Sequence, residues 1–190
     1  MEEVSKFRML YHYLNYPRSL PVYLCVRSSR HREIIEEDFQ CWREVYRDKM
    51  GSRCAGGRFS AFNWLLTNLP EYRSLLLHRL RKPPKTVVSI LHFVITRMLW
   101  KPLESLYIET ENIGGGLFIQ HGFSTIICAE RIGKNCWINQ QVTIGYNGME
   151  YPVLEDNVMV HCGAKVIGGV TMHNHSTAAA GAVVVKDVPE

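Results

Sequence analysis

The chain has 190 residues, 46% of them apolar and 21% charged, with a formal net charge of +4. This composition excludes a disordered chain, and the length suits one domain or a domain with a smaller appendage. The charge is compatible with phosphate-bearing ligands and too weak to point to nucleic acid.

Six cysteines, Cys25, Cys41, Cys54, Cys128, Cys136 and Cys162, form no Cys-x-x-Cys pair and no zinc-finger spacing with histidines. The opening "MEEVSKFRML" is acidic first and lacks the apolar run of a signal peptide. Free thiols in a reducing cytoplasm, with no resident metal, are the expectation.

Residues 1–105 read as a helical N-terminal region. In "HREIIEEDFQCWREVYRDKMG", Ile34, Ile35, Phe39, Trp42, Val45 and Tyr46 fall near one helical face. Acidic residues crowd its start, basic residues its end, and Gly51 stops it. "CAGG" (Cys54–Gly57) is a loop and Ser60–Leu69 a short helix. Pro70 opens a helix that ends at Pro83-Pro84, and Thr86–Trp100 is a further helix closed near Pro102. Thr86–Trp100 is strongly apolar but shorter than the roughly 20 residues of a spanning helix, and it contains His92 and Arg97. It reads as a buried or interfacial helix, so membrane association is a minor expectation. Arg73, Arg79, Arg81, Lys82 and Lys85 read as a solvated helix face.

From Ile113 the texture changes to small, glycine and β-branched residues with a six-residue period. Ile113 and Ile119 are six apart, Ile126 comes one late, and Ile132, Ile138 and Ile144 keep the six. After an interruption, Leu154, Val160, Val166, Met172, Ala178 and Val184 keep it again. A period of six fits neither a helix nor a hairpin strand. It is the signature of a parallel β-helix, in which three short strands close one triangular coil around the periodic side chain. The expected coils are 113–126, 132–144, 154–166 and 172–184. The chain stops at "KDVPE", where a coil end needs covering by more chain or by a partner.

Stacked coils turn spacing into columns. His121 lies two residues after Ile119, and the equivalent positions are Gln140, Cys162 and Ala180. His121 is therefore expected to head a column that becomes small below it, leaving a groove for an elongated ligand. From the residues alone His121 is a packed surface residue, a metal ligand or a base. The break "GYNGMEYPV" (145–153) is expected to leave a neighbouring corner as a recognition loop, with a turn at Asn147-Gly148.

With these features the sequence resembles the hexapeptide-repeat acyltransferases, the serine acetyltransferase branch in particular. The matching stretches are "NIGGGLFIQHG" (Asn112–Gly122), "RIGKNCWINQQVTIG" (Arg131–Gly145), "VLEDNVMVHCGAKVIGGVTM" (Val153–Met172) and "AAAGAVVVKDVP" (Ala178–Pro189). The resemblance covers about residues 107–190, giving expected domains of 1–105 and 106–190. It implies an α+β architecture with a left-handed parallel β-helix, homotrimers or dimers of trimers, and acetyl-CoA as donor. It implies direct transfer of an acetyl group to a hydroxyl acceptor, L-serine. The family's catalytic histidine falls on His121, and imidazole suits proton removal at neutral pH.

The carboxylate that orients this histidine is expected at Glu109, with Glu111 and Glu104 behind it. Coenzyme A is expected along Gly145, Tyr146 and Asn147, then Cys162-Gly163 and Ala180-Gly181, with Lys186 near a phosphate. Gln120 and Tyr151 are the expected acceptor contacts. Gln120 stands where the serine enzymes usually carry aspartate, and "EYP" (Glu150–Pro152) stands where they usually carry "RHP". Related enzymes that acetylate sugars on the same scaffold are the alternative. An inactive β-helix scaffold and a membrane-surface protein held by Thr86–Trp100 are the non-enzymatic ones. His161, His173 and His175 read as exposed corner residues, His92 as structural, and Trp137 as an outward residue packing at the trimer interface.

Overall fold

The computed structural model describes residues 2–51, 57–81 and 87–190. Cys54, Lys82, Pro83, Pro84, Lys85, Thr86 and the side chain of His92, all named above, lie outside the described residues. The chain divides into two units. One holds Met1–Ile35 and Trp42–Pro102, the other Glu36–Cys41 and Leu103–Glu190.

The first unit is helical. Its elements are α1 (Glu2–Leu14), α2 (Tyr16–Ser28), α3 (Arg32–Val45, whose middle, Glu36–Cys41, belongs to the second unit), α4 (Arg47–Met50), α5 (Arg58–Asn68), α6 (Pro70–Arg79) and α7 (Val87–Leu99). Proline in the first turn starts α2 and α6, where its missing N–H costs nothing. Gly51 stops α4 with a φ of 52°, a left-handed conformation that glycine adopts readily. The single helix expected through Gly51 closes instead at Val45, and Val45 is exposed. Ile35, Trp42, Leu65, Leu66, Tyr72 and Leu75 are buried.

The basic cluster departs from a solvated face. Arg79 is buried, and Arg73 donates to the carbonyls of Lys101 at 2.8 Å and Leu66 at 3.3 Å. An arginine's long apolar stem can pack in this way while its charged head reaches acceptors, as Arg73 does.

The second unit is the β-helix. Its strands are β1 (Leu106–Ile108), β2 (Asn112–Ile113), β3 (Phe118–Ile119), β4 (Thr125–Ile127), β5 (Arg131–Ile132), β6 (Trp137–Ile138) and β7 (Thr143–Gly145). They continue with β8 (Val153–Leu154), β9 (Met159–Val160), β10 (Lys165–Ile167), β11 (Thr171–Met172), β12 (Thr177–Ala178) and β13 (Val183–Val184). Three parallel sheets result: A, β1-β4-β7-β10-β13; B, β2-β5-β8-β11; and C, β3-β6-β9-β12. This is a left-handed parallel β-helix of about four turns. The inward ladder Ile119, Ile138, Val160, Ala178 is buried throughout sheet C.

One inward assignment changes. Ile126 is 44% exposed, while Ile127 is 0% exposed and pairs with Ile144. The inward positions Ile119 and Ile127 of the first coil are therefore eight positions apart, not seven, against six for the same step in the coils below. The two extra residues lie at the corner between sheets C and A.

The corners run through left-handed backbone. Gly116, Asn135, Asn157 and His175 repeat it between sheets B and C, with φ from 54° to 78°. Asparagine is among the residues that tolerate this region best. At the first of these corners, Asp38 Oδ1 accepts the N–H groups of Gly116 at 2.9 Å and Leu117 at 3.2 Å. A Cβ on Gly115 would stand 2.6 Å from Glu37 Cβ, so only glycine fits under this segment. After β13, Val188 bridges to Met172 and begins a further rung of sheet B.

Candidate active site

His121 sits in the two-residue insertion. Its φ is 52°, its side chain is exposed, and its carbonyl accepts the N–H of Phe123 at 2.7 Å. The insertion corrects the column expected from counting. Gln141 N donates to Phe123 O, Gly163 N to Gln140 O, and Gly181 N to Cys162 O. The stacked column is thus Phe123, Gln140, Cys162 and Ala180. His121 is pushed out of it, because Gly122 and His121 have no counterparts in the lower coils. Counting forward from Ile119 could not show this. Counting back from the next inward residue would have, had Ile127 been chosen over Ile126.

Below the insertion the corner is lined as the small-residue pattern requires. Gly163 (φ 72°) and Gly181 (φ 70°) stack with backbone close to backbone, and a Cβ on Gly163 would lie 3.9 Å from Gly181. Cys162 is half-buried and Ala180 exposed. Gln120 Oε1 accepts the indole N–H of Trp137 at 3.3 Å, and Trp137 packs on Phe118 with ring centroids 4.3 Å apart. Asn139 Oδ1 and Gln140 Oε1 are buried acceptors with no hydrogen-bond partner. Neither was singled out as a binding residue from the sequence. The signal was the run "NQQ" at a corner where the lower coils carry "HCG" and "AAG".

Glu109 does not reach His121 within one chain. It follows β1, whose end Ile108 pairs with Ile127 at the end of β4, whereas His121 precedes the start of β4. A three-residue strand separates them, about 10 Å at ~3.3 Å per residue. Glu109 Oε2 instead accepts the Cys128 thiol at 3.3 Å. Burial, and then the adjacent Glu109, push the Cys128 thiol up to about 11, so it stays protonated and is no nucleophile.

Gly145, Tyr146, Asn147 and Lys186 lie at this second corner, between sheets A and B. The 146–152 loop leaves there as a tight hairpin, with Asn147 and Glu150 exchanging backbone bonds of 3.0 and 3.2 Å. The hairpin rests on Gly168 and Gly169, where added Cβ atoms would meet Asn147 at 3.5 Å and Glu150 at 3.1 Å. Tyr146 and Tyr151 are exposed, with ring centroids 4.9 Å apart. Partial desolvation, then Cys128, Tyr146 and Glu109, raise the Tyr151 phenol above its ordinary value. The residues named from the sequence thus fall at two corners, on either side of sheet A.

Of the remaining histidines, His161 stacks level with Gln120 and Asn139 beside Cys162 at this first corner, while His173 and His175 fall elsewhere; His161 and His173 are half-buried, not exposed as expected. His173 Nδ1 stands 3.3 Å from Glu155 Oε2, and His175 is exposed. Among the described residues no group of three or more His, Cys, Asp or Glu could hold a metal ion. In the helical unit a buried Ser–His–Asn set invites a nucleophile reading, but its bonds exclude one. Asn63 Nδ2 donates to His12 O at 2.9 Å and faces His12 Nδ1 at 3.0 Å. Nδ1 therefore accepts, and Nε2 carries the proton toward Ser60 Oγ at 2.9 Å. Ser60 is not deprotonated by such an arrangement.

No family model matches the chain. The serine acetyltransferase of Staphylococcus xylosus is 36% identical over 121 residues, which cover 60% of this chain and 54% of that protein. The serine acetyltransferase of Bacillus licheniformis is 40% identical over 83 residues, covering 41% and 38%. The chain is thus similar to serine acetyltransferases over part of its length. It spans about half or less of the length of these relatives. Among solved structures, Neisseria gonorrhoeae serine acetyltransferase in complex with serine has a TM-score of 0.60 at 21% identity, covering 88% of this chain and 67% of that one. Soybean serine acetyltransferase has a TM-score of 0.57 at 22% identity, covering 83% and 63%. These likenesses show the fold. No helix among the described residues is long and apolar enough to cross a membrane.

Proposed function

We propose that the chain is an acetyl-CoA-dependent O-acetyltransferase that moves an acetyl group directly onto the hydroxyl of a small molecule, L-serine by its relatives' names. The observation that carries this reading is His121, held exposed on a corner insertion above the stacked Gly163 and Gly181. The imidazole takes the acceptor's hydroxyl proton as that oxygen attacks the thioester carbonyl. The C–S bond then breaks, and the imidazolium returns the proton to the leaving thiolate. No covalent enzyme intermediate is needed. A backbone N–H serves the transient oxyanion.

A homotrimer completes the site. Between the two corners, sheet A presents Tyr107, Ile126 and Val183, all exposed. With that column turned to a three-fold axis, the His121 corner of one chain meets the Glu109, Tyr146 and Tyr151 corner of the next. Glu109 then orients a neighbour's imidazole, and the donor lies between Cys162-Gly163 and Ala180-Gly181 on one side and Gly145, Tyr146, Asn147 and Lys186 on the other. Gln120 and Tyr151 flank the acceptor. A sugar acceptor is the second reading, favoured by the exposed Tyr146–Tyr151 pair, whose ring faces suit a pyranose.

The test is thiol release from acetyl-CoA with L-serine against a panel of sugars. His121→Ala is expected to lower kcat about 10²–10⁴-fold. Turnover with neither acceptor class, or parental activity in His121→Ala, defeats the reading.

A further inference from the structure

Helix α7 is built inside out. Val87, Ile90, Leu91, Val94 and Met98 recur at helical spacing on one stripe, and that stripe is the solvent face. Val87 is 85% and Met98 77% exposed, while the polar Thr96 on the opposite side is buried. An amphipathic helix of a globular unit normally does the reverse. Neighbouring elements add to the apolar surface. On α1, Phe7, Leu10, Tyr11 and Leu14 form a second exposed stripe, and on α2, which packs against α7, Leu20 and Leu24 are exposed one turn apart. Scattered exposed leucines need no explanation, but three helices presenting apolar stripes do.

Charge identifies the occupant. The helical unit carries 18 Lys and Arg against six Asp and Glu, whereas the unit with the β-helix carries four against 12. The modest net charge of the whole chain hides this segregation. Lys101 lies just past the end of the α7 stripe and Arg27 on α2, and both are exposed, whereas Arg97 at the stripe's edge donates to the carbonyl of Leu77 at 2.9 Å. A second copy docked on this surface would bring two strongly basic units together. An anionic bilayer offers apolar depth to the stripe and negative headgroups to its flank.

We propose that the helical unit docks on an anionic lipid surface through the exposed stripe of α7. The helix lies in the interface and does not span it, being 13 residues long. The stripe enters the headgroup boundary, and Arg27 and Lys101 pair with lipid phosphates. This surface is separate from the acyl-transfer reading and stands or falls without it.

The test is co-sedimentation of the full chain with vesicles of phosphatidylcholine alone or mixed with phosphatidylglycerol. The chain is expected to partition onto the mixed vesicles at least about ten-fold more strongly, less so as salt rises from about 0.05 to about 0.3 M. Leu91→Asp with Met98→Asp removes binding about ten-fold or more. Both side chains already face solvent, so the variant keeps its far-UV dichroism and melting temperature. Arg27→Glu with Lys101→Glu tests the basic flank alone and abolishes the preference for phosphatidylglycerol. Absence of sedimentation with either vesicle overturns the proposal, as does undiminished binding by the Leu91→Asp, Met98→Asp chain. An assembly in lipid-free buffer that falls apart in that variant, without vesicle binding by the parent, assigns the stripe to a second copy instead.

Discussion

Asp38 shows how much one side chain can fix. Its buried carboxylate accepts two backbone N–H groups at the first corner of the β-helix. Hydrogen bonds to a charged group contribute about 1.5–3 kcal/mol each, and a buried donor left unpaired costs about 1–3. Asp38→Ala is therefore expected to destabilise the chain by about 3 kcal/mol, and thermal melting should fall by about 6–12 °C. Asp38→Asn keeps one acceptor oxygen and should recover part of the loss. A melting temperature unchanged in Asp38→Ala removes Asp38 as the anchor of this corner. None of this was legible in the sequence. Helical periodicity places Phe39 inward and says nothing about a carboxylate whose partners lie 78 residues away.

At the scale of elements, the six-residue period carried almost all of the β-helix. The inward positions of the second, third and fourth coils stand where the period puts them, because each turn closes with the same three short strands. The period failed only where the chain inserts residues, since it contains no rule for choosing between two adjacent isoleucines. Burial decides between them. Ile127→Ala removes a wholly buried side chain and should cost about 2–4 kcal/mol, whereas Ile126→Ala should cost at most about half of that. Urea titrations of the two variants measure the difference, and equal losses would put both side chains inside the coil. The same insertion is what displaces His121. Deleting His121 and Gly122 together should leave the coil stack folded, because it restores the spacing of the lower corners, and on the proposed function it abolishes acetyl transfer. Unfolding of the deletion would show that the insertion supports the coil itself.

For the whole molecule, the cysteines set a limit on alkaline stability. Among the described residues five are free, including the buried Cys128 and Cys136 and the half-buried Cys41. Burial pushes each of these three thiols up to about 11, with Asp38 adding to Cys41 and Glu109 to Cys128. The folded chain keeps these protons to about pH 11, whereas the unfolded chain releases them near 9.0. Because the folded values are raised, the stabilisation is complete below pH 9 and disappears as pH rises toward 11. Each shift is worth on the order of 2 kcal/mol over that window. Lysine and tyrosine titrate in the same range, so a single melting curve does not isolate the thiols. Cys136→Ala does, because its thiol donates only to the carbonyls of Lys134 at 3.7 Å and Glu155 at 3.1 Å. The variant should be less stable than the parent at pH 8, through lost packing, and the gap should narrow by pH 10.5. A gap that stays constant across that interval would mean that Cys136 ionises alike in the folded and unfolded chains.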